Sequence, residues 1–155
     1  MLTLLSPAKK MNMDPAETGV PVTQPRLLED MNELAVVAKT QTADDLKRLM
    51  HISDKLAAMN FERFQAFNID NRSNSAKAAG LAFDGDVYWG LEADSLSDDT
   101  LAYAQDHLRI LSGLYGLLRP MDAIQPYRLE MGTKMANGRG KSLYDFWGTR
   151  IADRL

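Results

Sequence analysis

The sequence predicts an α+β fold, rich in helix and with a small mixed sheet. Three observations carry this. Apolar residues recur at helical spacing over several stretches, the apolar runs that read as strands are short, and no internal repeat divides the chain. At 155 residues, 45% apolar and 25% charged, the sequence fits one domain over residues 1–155 with a sizeable core.

Met1 to Leu5 is a short apolar run closed by Ser6-Pro7, and reads as a buried strand leading into a loop. Residues 10–25 carry Pro15, Gly19, Pro21 and Pro25 without periodicity and read as an irregular surface connection. From Arg26, the spacing of Leu27, Met31, Leu34 and Ala38 predicts a helix. Thr42 is placed to cap a second helix ending at Met50, with Asp44 and Asp45 at its positive end. Ser53-Asp54 opens a third, with Leu56, Met59, Asn60, Phe64 and Phe67 on one face.

Asn71 to Asn74 is a polar break. Ser75 to Gly80 reads as a short helix, Leu81-Ala82-Phe83 as a strand, and Asp84-Gly85-Asp86 as a turn. Ser97-Asp98-Asp99 opens a helix whose face holds Leu101, Ala104, Leu108 and Leu111. Tyr127 to Met131 is a candidate strand, residues 132–141 a flexible basic loop, and Leu143 onward a helix.

Composition excludes several chemistries. With no cysteine there is no disulfide, thiol nucleophile or cysteine-held metal. No apolar run reaches membrane-spanning length, and the opening Met1–Lys10 segment has the reverse polarity of a secretory signal, so a cytoplasmic protein is expected. His51 and His107 fall in no metal-ligand spacing, so no metal and no cofactor are assigned. No Gly-x-Ser-x-Gly elbow and no phosphate-binding glycine loop is present. The net charge of −3 is unevenly spread. Residues 1–99 hold 10 Lys/Arg against 16 Asp/Glu, whereas residues 100–155 hold 8 against 5. A basic C-terminal third can bind an anion locally, or be a solvated mixed surface.

The most informative stretch is Arg109–Arg119. An apolar helix end, Gly113 and Gly116 bracketing a turn, and a second apolar run suggest a helix-hairpin-helix-like element. There glycines let the backbone approach a phosphate, and Arg109 and Arg119 add charge. Two residues, Leu114 and Tyr115, separate the glycines where the usual hairpin has one, and a plain helix-ending turn is the other reading. Tyr115 could stack on a base or belong to the core. Ser6 and Lys9 sit where the first strand ends. Asp84-Gly85-Asp86 offers paired carboxylates or an ordinary turn.

These segments together carry a resemblance. Leu4–Lys9, Ile52–Ala57, Asn60 with Arg63-Phe64, Phe83-x-Gly85-Asp86-Val87-Tyr88-x-Gly90-Leu91, the unbroken run His107–Gly132, and Leu143-Tyr144-x-Phe146-Trp147-Gly148 resemble the YaaA family of bacterial peroxide-stress proteins. The resemblance implies a protein that protects against hydrogen peroxide, limits iron-driven damage indirectly, and binds the DNA phosphate backbone on a fold of the family's own. By motif match it nominates Lys9, Lys55, Arg63, Arg109, Gly113, Tyr115, Gly116, Arg119 and Arg128 for DNA. Ser6, Asn60, Asp86, Tyr88 and Glu130 are further polar motif positions. Family chains are longer and continue past the Phe-Trp-Gly helix, so the sequence reads as the first part of such a chain, incomplete at its C-terminal end. An exposed apolar surface is then expected near Leu143–Leu155.

Two functional expectations follow. The first is a non-enzymatic protein that binds DNA largely without sequence specificity. The second is an enzyme acting on a nucleotide or nucleic-acid base, in a pocket built from Lys9, Asn60, Asp86, Tyr88, Arg128 and Glu130.

Overall fold

Capping chemistry sets the helices of the first half. In the computed structural model, which describes residues 1–73 and 75–155, helix α1 runs from Leu28 to Lys39 and α2 from Ala43 to Met50. Thr42 and Asp45 form a reciprocal capping box on α2, each side chain accepting a backbone N–H of the other. Helix α3, Asp54–Ala66, starts at Ser53, whose hydroxyl accepts from the Leu56 amide. Met31, Leu34, Ala35 and Ala38 of α1 and Ala57 and Phe64 of α3 are buried in one core with Leu46 and Met50 of α2.

Strand β1, Thr3–Leu5, pairs in parallel with β3, Leu108–Ser112. Strand β3 pairs antiparallel with β4, Gly116–Leu118, giving the order β1-β3-β4. A second, two-stranded ladder joins β2, Lys77–Ala78, to β5, Ala123–Ile124. Helices α4 (Ala79–Ala82), α5 (Asp86–Leu91), α6 (Asp98–His107) and α7 (Leu143–Trp147) follow, with short 3-10 turns at Ala93–Ser95 and Ala152–Arg154.

Several expectations are corrected. β1 lies at an edge of its sheet rather than inside, with Leu2 40% and Leu4 48% exposed. Leu81-Ala82 belongs to α4, not to a strand, and Phe83 forms only an isolated bridge to Met11. Tyr127–Met131 is not paired as a strand. The loop 132–141 is anchored, because Arg139 donates to Asp30 and Glu33 and covers the Phe146 ring at 4.2 Å. Helix α7 stops at Gly148 (φ +50), five residues after it begins. Its Leu143, Phe146 and Trp147 are buried, so the expected apolar surface there is reduced to Tyr144 and Leu155. The polar break expected over Asn71–Asn74 lies partly outside the described residues.

The largest correction concerns the hairpin. Its arms are the strands β3 and β4, not helices, and it is a β-hairpin. Helix α6 ends at His107, so Leu108 and Leu111 leave the helical face on which their spacing placed them. Both arms are largely buried, and a continuously apolar run carries no period that separates strand from helix. The glycines serve close packing. A Cβ on Gly113 would run into the Leu129 carbonyl oxygen, and one on Gly116 (φ +76) would lie 2.8 Å from the Trp147 ring.

Candidate functional site

The hairpin is a structural element, and its nominated residues are occupied. Tyr115 is fully buried; its hydroxyl donates to Asn71 Oδ1 (2.9 Å) and accepts from the Gln125 amide (3.0 Å). Gly113 and Gly116 are buried with it. Arg109 is 8% exposed, and its guanidinium donates to the Gln105 and Leu108 carbonyls. Arg119 is locked against the fully buried Asp122 by its side chain and its backbone amide. Each of these groups takes part in holding the fold.

Ion pairing within the fold also accounts for the basic C-terminal third. Arg139 and Arg150 both reach Asp30 of α1, which is 8% exposed, and Arg139 also reaches Glu33. Part of the basic charge of residues 100–155 is therefore paired with acids of the first third.

A different set converges. Lys9, Lys10 and Met11 follow β1; Leu56, Met59, Asn60 and Arg63 come from α3; Arg128 comes from the segment after β5. Together they line a cleft of about 410 Å³. Lys55, Met59 and Arg63 follow at four-residue steps and share one stripe of α3, so exposed Lys55 extends the cationic face beyond the cleft.

Each wall has a local cause. Tyr88 of α5 is buried, and its hydroxyl donates to the Ser6 carbonyl at 2.6 Å. Burial drives its acidity well below that of an ordinary tyrosine, which keeps the hydroxyl protonated as a donor. Gly85 abuts Ala8, where a Cβ would approach to 3.0 Å. The Ser6–Lys9 loop is therefore braced by the turn before α5. Tyr88 supports the loop from behind and does not line the cleft, while Asp86 is exposed at the start of α5. Glu130 sits beside the cleft, 3.6 Å from Lys9 Nζ and 3.3 Å from Arg128, and itself lines a neighbouring groove with Arg48–His51. The pocket expected from six residues is thus built from Lys9, Asn60 and Arg128 with Glu130 alongside, and without Asp86 or Tyr88.

The lining is cationic, while carboxylates at its rim pair with three of its cations: Glu130 with Lys9 and Arg128, and Asp84 with Lys10 at 3.8 Å. Lys9, Lys10, Arg63 and Arg128 face the cleft, and its described lining contains no carboxylate. Desolvation alone lowers the Arg63 guanidinium below the ordinary arginine value. Among the described residues, two buried side-chain polar atoms have no partner: Asn60 Oδ1 and Arg128 Nε. Asn60 is fully buried, and its amide orientation is fixed because Nδ2 donates to the Leu56 carbonyl at 2.8 Å. Lys10, Met11 and Met59 escaped the sequence reading as site residues. The signal for Met59 was its place one turn before Arg63, and for Lys10 its adjacency to Lys9.

Fold and site define an α+β protein with a cation-lined cleft between a strand end and a helix. Comparison with known proteins places it further. A family model described as peroxide stress protein YaaA matches residues 1–155, and the chain belongs to that family. A UPF0246 protein of Saccharophagus degradans is 54% identical over 155 residues, covering all of this chain and 60% of the relative. One from Dinoroseobacter shibae is 54% identical over all of this chain and 58% of its own length. One from Phenylobacterium zucineum is 55% identical over 152 residues, 98% of this chain and 56% of the relative. The chain therefore spans less than two thirds of the length of these curated relatives. No described helix is long and apolar enough to cross a membrane.

Proposed function

We propose that the chain serves peroxide-stress protection in the cytoplasm by binding the phosphate backbone of DNA, largely without sequence specificity, through the cationic cleft and the Lys55–Arg63 stripe of α3. The observation that supports this is the convergence of Lys9, Lys10, Arg63 and Arg128, from three separate segments, on one cleft whose described lining holds no carboxylate. Cations held at fixed positions suit phosphate oxygens, which fix position without reading bases. Bound protein would shield DNA from iron-driven oxidation, so its link to iron is indirect. Of the residues nominated for DNA from the sequence, this reading keeps Lys9, Lys55, Arg63 and Arg128 and sets the hairpin residues aside.

Fluorescence anisotropy with two unrelated duplexes, titrated over salt, tests the reading. Binding should weaken with salt by a slope of about −0.9 per phosphate contact and be alike for both duplexes. Lys55→Ala and Arg63→Ala should each flatten the slope by about 1. Absence of binding at low salt overturns it.

A further inference from the structure

The cleft holds more than charge. Its two unpartnered buried atoms are opposite in kind: Asn60 Oδ1 is an acceptor lacking a donor, and Arg128 Nε–H is a donor lacking an acceptor. A buried polar atom left unpaired is costly, and native folds rarely carry one without a partner from protein, ordered water or ligand. Both belong to residues lining the same cleft, beside the apolar side chains of Met11, Leu56 and Met59 and the ammonium groups of Lys9 and Lys10.

We propose that this cleft is the seat of one nucleoside 5′-phosphate unit, its base inserted against Asn60 and Arg128 and its phosphate held by the lysines. The inference deepens the nucleic-acid reading above and rests on it for the placement of the phosphate. Every common base presents an N–H donor next to an acceptor on one edge, the complement of Asn60 Oδ1 and Arg128 Nε–H. A carboxylate or a backbone phosphodiester, neither of which carries an N–H or O–H, would satisfy the arginine and the lysines but leave Asn60 Oδ1 unmatched. The methionine and leucine side chains suit a flat apolar ring face, and methionine adapts its shape to what it covers. The volume, about 410 Å³, falls in the small-molecule range of about 300–1,000 Å³. The unit could be a free mononucleotide or a nucleotide extruded from a strand; the chemistry recognised is the same.

Isothermal titration of the chain with adenosine and cytidine 5′-monophosphates, and with inorganic phosphate, reads the first source. Anisotropy with a single-stranded oligonucleotide and its copy carrying one abasic site reads the second. The expected result is binding about tenfold or more tighter with the base than without it, in at least one of the two pairs. Asn60→Leu should erase that difference while duplex binding keeps its salt slope to within about one contact, and Arg128→Lys, which keeps the charge but lacks the Nε–H, should erase it separately. Arg128→Lys keeps the test open if Asn60→Leu does not fold. No preference for the base in either pair overturns the proposal, as does a preference that survives in Arg128→Lys. Loss of duplex binding with retained base preference overturns the backbone reading instead.

Discussion

The indole N–H of Trp147 donates to the carbonyl of Gly113 at 2.9 Å, across 34 residues of sequence. This bond closes helix α7 over the turn of the β3–β4 hairpin, and the same ring fills the space beside Gly116. Trp147→Phe leaves the Gly113 carbonyl buried and unpaired and opens a void. The expected loss is about 2–3 kcal/mol, read as a lower urea midpoint at unchanged m-value.

Gly113 and Gly132 separate packing from mere chain flexibility. Gly113→Ala drives a methyl into the Leu129 carbonyl and should cost about 3 kcal/mol. A methyl group on Gly132 would meet nothing within 4 Å, so Gly132→Ala should stay within about 0.5 kcal/mol. Equal effects in thermal unfolding would refute the packing role of Gly113.

Arg119 distinguishes the two candidate interfaces. Arg119→Ala strands the buried Asp122 carboxylate and should destabilise the fold by about 3 kcal/mol. Under conditions where the variant remains folded, its DNA salt slope should match that of the unaltered chain. A slope flattened by about 1 would return the hairpin to the interface.

Asp30 joins α1 to the C-terminal segment. Asp30→Asn removes the shared acceptor of Arg139 and Arg150 and should cost about 2 kcal/mol, with faster amide exchange around Arg139 and α7. Unchanged exchange would show that the Phe146 contact alone holds the loop.

The sequence was most readable where local chemistry decides structure. Thr42, Ser53 and Ser97 mark helix starts by side-chain capping, and the Leu27–Ala38 spacing gives α1. It was least readable where tertiary burial decides. Leu101, Ala104, Leu108 and Leu111 keep helical spacing straight across the end of α6, so the switch to β3 leaves no mark in the pattern; pairing on both sides of β3 makes it a strand. In the site, Lys9, Asn60, Arg63 and Arg128 were legible as motif positions. That Arg119 and Arg139 are spent on carboxylates was not, because Asp30 lies 109 residues from Arg139. Charge counts along a chain do not say which charges meet.

The parallel register of β1 also sets an order of events in time. Thr3 pairs with Leu108, so β1 has no sheet partner until more than a hundred further residues have been synthesised. At about 5–20 residues per second, that is a wait of roughly 5–20 s. Lys9 follows β1 directly, and Arg128 comes later still than β3 and β4, so the cleft cannot be complete until synthesis has passed Arg128. A nascent chain should gain nucleotide-binding capacity late and abruptly, which makes ligand capture a kinetic marker of completed folding.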